Sequence, residues 1–341
     1  MTTAMVPSRL RPGWILGSLG LLVGAIAVAA AVGPAQIRAW DAVAALIDRL
    51  PFVALDTGLT DRQSDILWLV RFPRIVLGGL VGAMLAMAGA AYQGVFRNPL
   101  ADPYLLGVAA GAGLGATFVI VTGAGLPLPV AAFGGAVLAV VLTYGLGRTV
   151  RSRSTTSLVL AGVAVASFLT ALQTYVQQLN AETVREVFAW ILGRLSTNGW
   201  DEVIMVLPYV AVSAGTLFLH RRLLDALALG DEEAAGLGVP VRRVRLVVVA
   251  AATLGTAVAV AVGGLIGFVG IIVPHTIRLL AGSSYRIVLP LAAVAGAAFL
   301  VAADLVARTV MAPAELPIGV VTAFLGGPFF VLVLRTTRGV A

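Results

Sequence analysis

Cysteine and lysine are both absent from the 341 residues, only two histidines occur, and charged residues make up just 11% of the chain. Without thiols there is no disulfide, no thiolate metal site and no cysteine nucleophile. Two isolated histidines, His220 and His275, do not make a histidine-rich metal site, so no metal-binding residue is expected. Because a phosphate-binding P-loop carries its lysine onto the nucleotide phosphates, a chain whose 23 basic residues are all arginine is not its own P-loop ATPase. If nucleotide drives this protein, another subunit binds it. A soluble domain is about one quarter charged, so the small charge content also excludes a water-solvated surface.

What is present is apolar: 60% of residues are hydrophobic and the mean hydropathy is +1.01. A bilayer core of about 30 Å takes about 20 apolar residues per helix, and the composition defines an all-α integral membrane protein. The run from Trp14 to Val32 is too long for a typical signal-peptide core and is followed by further spans, so it reads as a first transmembrane helix. Residues 34–65 are polar and form an extramembrane segment, partly helical. Apolar runs follow at 66–95, 104–123, 129–149, 156–179, 203–220, 244–266, 268–280, 287–311 and 318–334, which makes about ten spans. The 268–280 run is too short to cross without a tilt.

Arginine sets the orientation. An inside N-terminus puts Arg97, Arg148, Arg151, Arg153, Arg221, Arg222, Arg242, Arg243, Arg245, Arg278, Arg286, Arg335 and Arg338 in or beside inside loops, so both termini are expected in the cytoplasm. The net charge of +7 is therefore a matter of topology, and nothing in its pattern points to nucleic acid. No internal repeat or second domain is visible, and 1–341 reads as a single transmembrane domain with lipid as its solvent.

Small residues recur every fourth position at Gly78, Gly82, Ala86, Ala90 and Gly94, and again at Gly107, Gly111 and Gly115. That spacing lets helix backbones approach closely where lipid offers little drive for association. Packing inside one subunit is the plainer expectation, and a dedicated dimer face the other. Between these stripes, Arg97-Asn98-Pro99-Leu100-Ala101-Asp102-Pro103 interrupts the apolar pattern. Its prolines cannot donate backbone hydrogen bonds, so the turn belongs in water or against polar protein.

Residues Gln93 to Gly107, with Arg-Asn-Pro-Leu-Ala-Asp-Pro and then Leu-Leu-Gly, resemble the signature of the iron-chelate and cobalamin import permeases, the type II permeases of ATP-binding-cassette (ABC) importers. Arg71-Phe-Pro-Arg74, the segment GIIVPHTIRL at 270–279 and ELPIGVVTAFLGGPFF at 315–330 match as well, in the right order. The resemblance covers 66–335 and is weak before residue 60. It implies a homodimer of ten-helix subunits in the bacterial cytoplasmic (inner) membrane, with two cytoplasmic ABC ATPase subunits and an extracytoplasmic substrate-binding protein. No cofactor is implied in this chain, since ATP and magnesium belong to the partner ATPase.

By motif match, Asn98, Leu100, Thr155 and Thr156 are expected to narrow the cytoplasmic end of the pathway. Thr155 and Thr156 also suit a helix cap. Gly230, Asp231, Glu232, Glu233, Ala234, Ala235, Gly236, Leu237 and Gly238 look like the coupling helix that fits a cleft on the ATPase. The three acids suit the positive end of a helix dipole, and Gly236, Gly238 and Pro240 would end the helix. Arg71, Arg74 and Arg308 match arginines that pair with glutamates of the binding protein; otherwise such arginines snorkel to headgroups. Asp304, four residues before Arg308, is placed to orient it.

The resemblance implies a siderophore first, then haem, then cobalamin, on the Arg97 form of the turn. A proton- or sodium-coupled transporter is the rival reading, opposed by the lack of acidic residues at mid-membrane. An intramembrane enzyme lacks any clustered acid and base.

Overall fold

The computed structural model describes residues 11–33, 37–49, 57–149, 155–195, 197 and 199–337. Within them the chain forms α1 (Pro12–Ala31), α2 (Ala39–Asp48), α3 (Asp61–Asp65), α4 (Phe72–Phe96), α5 (Val108–Thr122), α6 (Leu128–Thr149), α7 (Thr155–Leu179), α8 (Val184–Ile191), α9 (Asp201–Leu229), α10 (Asp231–Gly236), α11 (Val241–Gly263), α12 (Val269–Ala281), α13 (Tyr285–Thr309) and α14 (Ile318–Thr337). No strand occurs among the described residues.

Seven of these helical stretches are long and apolar enough to cross a membrane, and three shorter apolar helices accompany them, α5, α12 and α14. Helix α3 starts on a capping box, with Thr60 Oγ1 accepting from Gln63 N at 3.3 Å and Gln63 Oε1 accepting from Thr60 N at 3.0 Å. It runs through a π-helical turn, Ile66–Arg71, into α4, giving a continuous helical stretch of 36 residues. The polar segment 34–65 is therefore partly helical, and its last five residues begin the second span.

Burial sorts the spans into two groups. The α4 and α11 spans are each 78% buried inside the protein and α13 is 67% buried, whereas α1, α6, α7 and α9 are 11%, 22%, 28% and 28% buried. Helix α4 is the axis of the bundle, with Leu77, Met84, Leu85 and Tyr92 sealed from solvent. The outer helices turn Leu16, Val23, Leu138, Val141, Ile204 and Leu219 outward, as a lipid solvent demands.

Small residues create the contacts of the core. A methyl on Gly82 would overlap the carbonyl oxygen of Gly296 on α13, and one on Gly111 would overlap that of Gly135 on α6. Gly89 meets the backbone of Gly270 on α12 in the same way. The four-residue stripes thus pack helices within one chain, the plainer of the two expectations.

Several boundaries differ from the hydropathy pattern. The run from residue 104 does not start a helix there: Pro103–Leu106 is a 3₁₀ turn, Gly107 is left-handed at φ 81°, and α5 begins only at Val108. In the other direction, α9 continues nine residues beyond residue 220 to Leu229, and α11 starts at Val241, ahead of Arg242, Arg243 and Arg245. Leucine, alanine and arginine are good helix formers in water, so these helices outlast the apolar run that marks the bilayer.

The bundle has two polar ends. Arg97 terminates α4 at one of them, with α10 and the start of α13 alongside; Arg74, the end of α1, Arg308 and Glu315 form the other. Because α1 ends at the Arg74 end and α14 starts there, α1 begins and α14 finishes at the Arg97 end.

Candidate functional site

The interrupting motif forms a compact turn at the Arg97 end. Arg97 closes α4 in a left-handed conformation at φ 49°, and the N–H of Asn98 donates to Gln93 O at 3.1 Å, which satisfies the last carbonyls of α4. Asn98 Oδ1 accepts from Leu100 N at 2.9 Å, and Asp102 caps the 3₁₀ turn by accepting from Tyr104 N at 2.8 Å. Tyr104 Oη then donates to Ile266 O at 2.9 Å and accepts from Ile266 N at 3.1 Å, fixing the turn to the loop ahead of α12. The other flank of the turn lies on α7, where Gly162 is in backbone contact with Leu105 O.

Asn98 and Leu100 therefore project as exposed side chains from a rigid base. Thr155 and Thr156 start α7, but their side chains lie outside the described residues. Further along, α7 exposes a neutral polar stripe of Ser167, Thr170, Thr174 and Gln178 beside an apolar one of Phe168, Leu172, Tyr175 and Leu179. Lipid solvates hydroxyls and amides poorly, so the polar stripe borders water or protein. The sequence carried this signal, but reading α7 as one apolar run concealed it.

Helix α10 sits at the same end. Its N-terminal acids complement the helix dipole, Ala234 packs inward, and Glu232, Glu233, Ala235, Gly236 and Leu237 are exposed; Leu237 retains 67% of its surface. Asp231 accepts from Arg245 Nη2 at 2.7 and 2.9 Å, which joins α10 to α11, and lies 3.8 Å from Arg97 of the turn. Asn98, Leu100 and α10 are thus brought to one end of the molecule, although they are more than 120 residues apart in sequence.

The three arginines at the far end are less free than arginines that end a span usually are. Arg71 is 4% exposed and donates through Nη1 to Ala30 O and, at 3.1 Å, to Ala31 O; Arg308 is 8% exposed and donates to Ala29 O. Both hold the unsatisfied C-terminal carbonyls of α1. Arg74 forms a two-pronged pair with Asp304, 2.8 to 3.1 Å, and reaches Glu315 at 2.9 and 3.1 Å. Asp304 does lie on the Arg308 face, with 3.5 Å between them, but its shorter bonds go to Arg74. Arg194 approaches Glu315 at 4.0 Å and is the accessible cation of the group, 65% exposed in its side chain. Sequence reasoning passed over Arg194 and Glu315.

Glu315 lies in the loop between α13 and α14. Burial pushes its carboxyl up, but the hydrogen bonds and charge of Arg74, helped by Arg194 and Arg308, outweigh this and hold it below the ordinary glutamate value of about 4.5. With the folded value below the unfolded one, the stabilising contribution of Glu315 is complete above about pH 4.5 and disappears as pH falls through the depressed value. The melting-temperature difference between wild type and Glu315→Gln is therefore expected to be constant from pH 8 to 5 and to shrink only in stronger acid. A difference that changed near neutrality would contradict this.

His220 Nδ1 pairs with Thr216 O within α9, and His275 stands edge-on to Phe329 on α14. No group of three potential metal ligands occurs among the described residues.

A bundle whose described residues form helices and no strand, with seven helices long and apolar enough to cross a membrane, defines a polytopic membrane protein. The FecCD transport family profile matches residues 21–336, and the chain belongs to that family. The match reaches upstream of the four motifs and takes in most of α1. The cobalamin import system permease protein BtuC of Halobacterium salinarum is 41% identical over 82% of this chain and 76% of its own length. The hemin transport system permease protein HmuU of Yersinia pestis is 37% identical over 96% of this chain and 97% of its own. A solved structure described as an inward-facing conformation of a metal-chelate type ABC transporter superposes with a TM-score of 0.83 at 28% identity, covering 96% of this chain and all of the other.

Proposed function

We propose that this chain is the membrane-spanning permease subunit of an ATP-driven importer that carries an iron chelate, haem or cobalamin into the cell. The observation that carries the reading is the meeting of the Asn98–Leu100 turn and α10 at one end of a chain matched to a transport family over residues 21–336. On this reading the chain spans the membrane ten times with both termini in the cytoplasm of a bacterium, an orientation favoured by the arginine-rich loops, and two copies enclose the pathway. The polar stripe of α7 lines it, and Asn98 and Leu100, with Thr155 and Thr156, narrow its inner end. Neutral and apolar groups close such a passage without holding the solute tightly, which suits one-way release.

Energy comes from two cytoplasmic ATPases, each receiving α10, with Leu237 as its apolar anchor; ATP and magnesium stay on those subunits. A binding protein docks at the other end. There the exposed side chain of Arg194 meets its carboxylates, while Arg74, Arg71 and Arg308 add positive potential from behind and the last two keep α1 in place. The buried contacts of Arg71 and the buried Asp304 pair of Arg74 make substitutions at either a structural lesion, so Arg194→Glu, at the exposed cation, is the cleaner test of docking. Stimulation of ATP hydrolysis by the binding protein is expected to fall about tenfold or more in Arg194→Glu, with the assembled complex still formed. Unchanged stimulation rules out this docking surface.

A relative named for cobalamin and one named for hemin are similarly close, so the cargo is decided by transport. Vesicles containing the permease with its ATPase, with the binding protein outside, are expected to accumulate one of labelled hemin, cobalamin or a ferric siderophore only when ATP is enclosed with the ATPase. Accumulation driven by an ion gradient alone, with no ATPase present, overturns the reading in favour of a secondary transporter.

A further inference from the structure

A line of polar groups crosses the Arg97 end from helix to helix. On α9, Asp225 accepts from Ser284 Oγ at 2.9 Å and from Tyr285 N at 2.6 Å, closing the start of α13, and stands 3.5 Å from Arg286. Tyr285, on α13, accepts through Oη from Arg278 Nη2 at 3.3 Å, and the Arg278 guanidinium lies 5.5 Å from the centre of its ring. Arg278, on α12, donates through Nη1 to Gln93 Oε1 on α4. Gln93 Nε2 then donates to Gly270 O of α12 at 3.0 Å, and its main-chain oxygen is the one that accepts Asn98 N. Four helices each contribute one side chain, and the line ends at the turn that bears Asn98 and Leu100.

We infer that Asp225, Tyr285, Arg278 and Gln93 form a strut that transmits displacement of the α9–α10 corner to the turn, and that they are positioning residues for the coupling of ATP hydrolysis to transport. This rests on the importer reading above. Three properties support it. The two side chains that flank the half-buried Arg278 are dry, with Gln93 3% and Tyr285 5% exposed, so a broken bond leaves a buried group on Gln93 or Tyr285 unpaired. The bonds of the line are directional and run across the helices, whereas the apolar contacts around them tolerate sliding. The approach of α13 to α4 is also close enough that a methyl on Gly94 would stand 2.7 Å from Tyr285 Oη. The alternative link from α10 to the turn, Asp231 to Arg97 at 3.8 Å, joins side chains that are 44% and 48% exposed, and water and salt weaken such a pair.

The test uses the permease with its ATPase in vesicles and the binding protein outside, with uptake measured for whichever of hemin, cobalamin or a ferric siderophore the wild type accumulates. Tyr285→Phe removes one hydroxyl, and Gln93→Leu removes the amide at the turn. Each is expected to keep ATP hydrolysis within about twofold of wild type while solute moved per ATP falls about three- to tenfold. The double variant is expected to fall no further than the stronger single variant, because both break one line. Ser18→Ala, on the exposed face of α1, is expected to keep the wild-type ratio.

Hydrolysis and uptake that fall in step, or ratios that stay at the wild-type value, overturn the strut. If Gln93→Leu does not assemble, Tyr285→Phe decides by the same ratio. A wild-type complex showing neither hydrolysis nor uptake sinks the importer reading, and the strut with it.

Discussion

Asp304→Asn is expected to cost about 3–5 kcal/mol of folding stability, the price of removing one partner from a buried ion pair. Asp304 has 4% of its side chain exposed and lies between Arg74 at 2.8 Å and Arg308 at 3.5 Å. Removing its charge leaves Arg74 and Arg308 without their shared carboxylate and Glu315 as the remaining acid of the cluster. Glu315→Gln provides the scale: Glu315 is 33% exposed, and water replaces much of what it supplies, so its loss is expected to cost about 0–1 kcal/mol. Thermal unfolding of both variants in lipid nanodiscs measures the contrast. Equal melting temperatures would mean that Asp304 is not the keystone of the cluster.

The second large effect is expected at Gly82. Valine there forces side-chain carbons into the carbonyl of Gly296 and leaves the Leu300 Cβ only 2.6 Å from the new Cβ. Because backbone stands on one side of this contact, relief requires α4 and α13 to separate along the axis of the bundle. Overpacking costs about 1–3 kcal/mol where side chains can adjust, and here the opposing group is main chain, so Gly82→Val is expected to sit at or above the upper end. Gly17→Ala is the control, since nothing lies within 4 Å of its added methyl. It is expected to leave unfolding unchanged or to raise it slightly, alanine being the better helix former. Similar losses in both variants would argue against a backbone contact as the cause.

The two glycine sites also mark what a linear reading can and cannot recover. The four-residue stripe on α4 is visible in the sequence because helical periodicity projects it onto one face, and that face is where α13 packs. Hydropathy located the apolar runs, but it reads solvent preference and not helix length. It therefore stopped α9 at the edge of the apolar pattern, although the helix continues through Arg221, Arg222 and Asp225. The opposite error at residue 104 came from Gly107, whose left-handed backbone separates a 3₁₀ turn from α5.

Partners are harder to read than positions. Arg71 and Arg308 could be singled out by motif, but backbone carbonyls have no letter in the sequence, so their attachment to α1 was not legible. Gln93 opened a recognised motif without a role, and Tyr285 and Asp225 attracted no attention; each gains meaning only when four helices meet. A lone amide in an otherwise apolar run was the available clue.

The clasp on the first helix has a consequence for the order of synthesis. Arg71 is 41 residues from the Ala30 carbonyl it holds, and Arg308 is 279 residues from Ala29. As the chain emerges, the second span can secure the first almost at once, while the second fastening waits until nearly the whole polypeptide has been inserted. Until then α1 is tied at one point, and the last spans to enter the bilayer lock the first one in place.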